Sequence, residues 1–169
     1  MTLFAKMSGQ GEDPLEDRAT RLVDAARTMA FAAATNMGDQ HRPLRQVDQE
    51  QIEYFMTVAG VFIAATRLNN LQVGEQREDR LMEIVANSLN AWDPGGVVGF
   101  EDCKNLFESE CQRLRAKEYP PQFLHSDALG IWIVWNLLGH SPGNEEEAAL
   151  VRATGALVTH AFFEWWTPN

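Results

Sequence analysis

The sequence predicts an all-α fold, a single-domain bundle of about six helices. Apolar residues recur at the three-and-four spacing of a helix face along most of the chain, and helix-start and helix-stop residues punctuate that pattern. No stretch shows the two-residue alternation of a half-buried strand. At 169 residues, 45% hydrophobic and 22% charged, the chain has enough apolar material for one core and needs no second domain.

Residues 1–12 show no period and include Ser8, Gly9, Gln10 and Gly11, so they read as a flexible arm ahead of a helical domain over 13–169. Asp13, Pro14 and Glu16 form a helix start: an acceptor at the cap, proline at the first position and a carboxylate reaching back. Leu15, Ala19, Leu22, Ala26, Met29, Ala33 and Met37 then share a face, and Gly38 is the expected stop. Its alanines should admit a close neighbour.

The second helix opens with Asp48 and Gln51 as a capping box and Val47 and Ile52 as a hydrophobic staple, and is expected to reach Gly74. Its stripe of Ile52, Phe55, Met56, Ala59, Phe62 and Ile63 continues on the same arc into Thr66 and Asn70, with Arg67 at the edge. Glu75 to Trp92 forms a third helix, broken by Asp93, Pro94, Gly95 and Gly96. The fourth is expected from about Phe100 to Glu118, with Phe100, Cys103, Phe107, Cys111 and Leu114 facing inward until Pro120 and Pro121 end it.

Ser126 is the expected cap of a fifth helix over Asp127 to Leu138, apolar on all sides except at Asn136 and therefore central. The second and fifth helices should be the most buried. Asn144 and Glu147 cap a sixth helix reaching Trp166, with a stripe of Leu150, Ala153, Leu157, Ala161 and Trp165.

The 24 acidic residues exceed the 14 basic ones, for a formal net charge of -10. That balance repels phosphate backbones and anionic lipid, so neither nucleic acid nor a membrane is an expected partner. The longest apolar runs, 58–65 and 128–138, are far shorter than the roughly 20 residues of a bilayer span. Cys103 and Cys111 would lie about 12 Å apart on one helix, too far to bridge. Unbridged thiols and the lack of a signal-peptide pattern suit a cytoplasmic location.

Phosphate-loop, nucleophile-elbow and dinucleotide-binding motifs are missing, as are the Glu-x-x-His pairs of a di-iron bundle. The segment Asp93 to Asp102 has a glycine and a closing acid where a calcium loop would, but Ala91 and Gly95 stand at ligand positions. No metal or cofactor is therefore expected. His160 and Glu164, four apart, form a candidate acid–base dyad.

Two functional expectations follow. One is a non-enzymatic binding module, regulatory or adaptor in type, whose acidic surface and aromatic C-terminal helix engage a protein partner or a second copy; Phe163 and Trp166 point away from the stripe, either into neighbouring helices or towards that partner. The other is a small-molecule or enzymatic bundle in which Thr66, Arg67, Asn70 and Asn136 line the polar end of a pocket.

Overall fold

A computed structural model describes residues 13–167. The expected N-terminal arm lies outside the described residues. Six α-helices account for the fold among the described residues: α1 Pro14–Gln40, α2 Gln49–Thr66, α3 Glu75–Trp92, α4 Gly96–Ala116, α5 Pro121–Leu138 and α6 Glu145–Phe162. Two short 3-10 turns, Arg42–Leu44 and Leu68–Leu71, flank α2.

The centre of the bundle is α2, which packs on α1, α4, α5 and α6. Every residue from Met56 to Ala64 is buried, so this helix has no wet face over more than two turns. The other central helix is α5, wedged between α4 and α6 and buried from Ala128 to Gly130 and from Trp132 to Val134. Its neighbour α6 comes unusually close. A Cβ built on Gly130 would fall on the Val151 carbonyl oxygen, and one on Gly155 would fall on that of Ser126.

Several helix ends differ from the expectation, each for a local reason. Asp13 does cap α1, accepting from the Leu15 amide at 3.0 Å, but Glu16 does not reach back. It accepts instead from Arg80 of α3 at 3.1 Å, while Arg77 donates to Asp13 at 2.6 Å. The first helix also runs through Gly38 to Gln40, because that glycine keeps a negative φ. Asp48 starts α2 through its backbone, with no side-chain cap bond.

The turn at Asp93 to Gly95 is tight enough for α4 to begin at Gly96, before Phe100. Pro121 opens α5, its fixed φ suiting a first turn, so Ser126 lies inside the helix and donates to Phe123 O. The expected Asn144 and Glu147 box forms with one partner shifted: Asn144 accepts from the Glu147 amide at 2.8 Å, while Glu147 accepts from the amide of Gly143, one residue ahead of the cap, at 3.0 Å. The inward face of α6 is Leu150, Val151, Thr154, Gly155, Val158 and Phe162. It is turned away from the expected Ala153, Leu157 and Ala161 because the small Gly155 lets that side approach α5.

Candidate functional site

The residues expected to form a polar pocket do not converge. Thr66 is exposed and donates to Ile63 O at 2.7 Å. Arg67 closes α2 with its guanidinium 3.8 Å over the Phe163 ring. Asn70 is exposed in the following turn, and Asn136 donates to Trp132 O of its own helix at 2.8 Å. The small cleft beside Thr66 is bounded by Asn69 and Lys104, and not by the other three. The physical cause is the early end of α2: past Thr66 the chain leaves the α-helical register, so Asn70 no longer extends the stripe.

His160 and Glu164 are both exposed, with no hydrogen bond between them, because α6 ends at Phe162 before the four-residue spacing completes. Both line a shallow groove with Arg18 and Trp165. Of the aromatic residues expected to face a partner, Phe163 is half exposed, but Trp166 is only 3% exposed. Its indole N–H donates to Ala64 O of α2 at 2.8 Å. Trp165 is tied to α1 by a reciprocal pair: its indole donates to Arg18 O at 3.2 Å, and Arg18 donates to Trp165 O at 2.7 Å.

Both cysteines are buried. Burial pushes each thiol up, Cys103 well above its usual range with Asp102 adding to the effect. Protonated, enclosed thiols are poor nucleophiles.

What the fold does assemble is an acidic cleft of about 660 Å³ between α1, α2 and the end of α3. Asp24, Arg27, Thr28 and Phe31 come from α1, and Glu50, Glu53, Tyr54 and Thr57 come from α2 at identical spacing. Positions three, four and seven apart share a helix face, so each helix supplies one wall. Trp92 and Asp93 close the end. Phe31 is 62% exposed, a large aromatic ring left in water.

The aromatic end is rigid. Tyr54 stacks on Trp92 with centroids 5.4 Å apart and planes 26° from parallel, and meets Phe55 edge-on at 5.1 Å. Its hydroxyl donates to Gly95 O at 3.1 Å. Gly99 leaves room for that hydroxyl, since a Cβ there would stand 2.8 Å from it. Burial and then the Asp93 carboxylate raise the Tyr54 phenol above its ordinary value, so it stays neutral near pH 7. The Asp93 carboxylate accepts from the Gly95 amide at 2.7 Å and holds the turn.

Four carboxylates and one guanidinium line this cleft. Arg27 touches Asp24 only at 4.0 Å, with both side chains more than half exposed. Glu53 accepts from Gln49 at 3.2 Å, a neutral partner. The cleft is therefore net negative. Among the described residues no three His, Cys, Asp or Glu side chains are grouped closely enough to hold a metal ion, so these carboxylates rim the space without forming an ion cage.

These residues escaped the sequence reading because their carboxylates lie on the polar side of each helix, where acidic residues read as a solvated face. The available signal was the repeated spacing of acid, acid or base, polar and aromatic residues on two successive helices. Comparison with protein-family models, with curated proteins and with solved structures gives no match.

Proposed function

We propose that this chain is a helical binding module of regulatory or adaptor type, and that its acidic cleft receives an arginine- or lysine-bearing segment of a protein partner. The observation that carries this reading is the pairing of negative charge with exposed aromatic surface. Carboxylates from two helices surround Phe31 and the Tyr54–Trp92 stack. Carboxylates attract cations, and aromatic faces add about 0.5–2 kcal/mol for each guanidinium or ammonium group seated on them. An acidic chain with a formal charge of -10 also steers a basic partner from a distance.

Two helices 27 and 18 residues long border the cleft, which makes it an open groove suited to a segment of chain. No catalytic role is assigned to it. Its hydrogen-bonded groups, Tyr54 and Asp93, hold the Gly95 turn, and Thr57 bonds Glu53 O at 2.6 Å.

The test is calorimetric titration with a helical peptide carrying arginines three, four and seven residues apart. Saturable binding at low salt is expected, weakening as salt screens the charges. Glu50→Lys combined with Glu53→Lys should abolish it, and Phe31→Ala should weaken it about tenfold, the equivalent of ~1.4 kcal/mol of cation–aromatic contact. Equal affinity in the charge-reversed variant would overturn the reading. So would binding unaffected by salt.

A further inference from the structure

We infer that a second cleft, between α4, α5 and α6, is a binding site for a small uncharged aromatic molecule carrying an amide-type N–H donor, with Glu110 as its acceptor and Trp135 as its wall. This site is separate from the acidic cleft and does not depend on the reading of it. The space measures about 850 Å³, within the range of small-molecule sites. Leu114, Ile131, Trp135 and Val151 give it an apolar side. Trp135 is 38% exposed there, apolar surface that a flat molecule would cover.

Its polar side holds two buried carboxylates, and they differ in one respect. Asp127 is saturated. Arg152 Nε donates to Oδ1 at 2.8 Å and Oδ2 at 3.1 Å, Arg152 Nη2 donates to Oδ2 at 2.8 Å, and the Tyr119 hydroxyl donates to Oδ2 as well. The Arg152 guanidinium is further fixed 4.0 Å over the Phe123 ring.

Glu110 is not saturated. Both contacts from Arg113, Nε at 2.8 Å and Nη2 at 2.6 Å, fall on Oε2. Oε1 has no hydrogen-bond donor among the described residues, although Glu110 is only 7% exposed and lines the cleft. That oxygen is open to the cleft, and a donor arriving there completes the half-filled carboxylate in place of water.

Charge then selects the ligand class. The two carboxylates are balanced by two guanidiniums, Arg113 and Arg152. An anion entering the cleft meets Glu110 and Asp127, and a cation meets the two arginines. A neutral N–H donor fills the open oxygen without either penalty.

The experiment uses the whole chain with 5-fluorotryptophan at its five tryptophans, read by fluorine NMR, with Trp135→Phe assigning the Trp135 resonance. The probe is naphthalene-2-carboxamide. Its methyl ester analogue keeps the acceptor and loses the donor, and 2-naphthoate adds a negative charge. The carboxamide should shift the Trp135 resonance saturably, and the other two should bind at least about tenfold more weakly for want of a donor to a charged acceptor. Ala149→Phe, an exposed lining position on α6, should remove the response while the other four resonances stay in place. A Trp135 resonance that does not respond to the carboxamide, an ester that binds as well, or an Ala149→Phe variant that responds unchanged would each overturn the assignment.

Discussion

At Gly155 the backbone of α6 meets the carbonyl oxygen of Ser126, and at Gly130 the backbone of α5 meets that of Val151. Any side chain at either position would have to push a helix backbone aside. Glycine is otherwise an unfavourable helix residue, worth about 1 kcal/mol less than alanine. Gly38 supplies the contrast, since it also lies within a helix but a Cβ there would have nothing within 4 Å. The two positions should therefore respond with opposite signs. Gly155→Ala is expected to lower the unfolding free energy by about 1–3 kcal/mol through overpacking, and Gly38→Ala to raise it by up to about 1 kcal/mol. Urea midpoints at fixed slope measure both, and a stabilised Gly155→Ala variant would refute the close crossing.

At the scale of the helix, the ends depend on partners that local sequence does not name. The third helix was legible to the residue, because Gly74 and Asp93 bracket it and its neighbours change neither end. The cap of α6 was legible too, since Asn144 and Glu147 are three residues apart and bond each other's surroundings directly. The end of α2 was not. It coincides with the Ala64 carbonyl, which accepts from the local Arg67 amide and also from the Trp166 indole, a contact spanning 102 residues of sequence. The same contact hides Trp166, which on a helical wheel alone looks free to meet a partner. Trp166→Phe keeps an aromatic side chain but loses the pyrrole portion with its N–H donor, and should cost about 1–3 kcal/mol. Trp166→Ala also opens a cavity and should cost about 3–5 kcal/mol. In both variants amide exchange should accelerate at residues 66–68, where the helix end loses its clamp. Unchanged protection there would mean that α2 ends without help from the C-terminal turn.

Across the whole molecule, charge is separated along α2. Glu50 and Glu53 mark its acidic end and Arg67 its basic end, about 25 Å away at 1.5 Å per residue. Screening lengths in physiological salt are about 8 Å, so the basic end leaves the acidic cleft's field intact. The composition announced a net negative chain, but only packing decides which acids gather and which cations collect elsewhere. At the basic end His125 lies edge-on to Phe107 with ring centroids 5.7 Å apart. Partial desolvation of this largely exposed ring, then the positive charges of Arg115 and Arg67, hold its imidazole below the usual 6.5. The sign of the consequence is fixed by linkage: as pH falls below about 6.5 the unfolded chain takes up a proton at His125 that the folded chain resists, so stability declines with falling pH until the folded value is passed. Carboxylate titration overlaps the lower part of that window, which makes the difference between two proteins the quantity to follow. His125→Gln removes the titration and keeps a polar side chain. Urea unfolding at intervals from pH 7.5 to 5 should show the native chain losing stability relative to the His125→Gln variant as pH falls below about 6.5. Parallel curves for the two proteins would mean that the cations at this end do not act on His125, and that the charge separation along α2 is screened even at its own terminus.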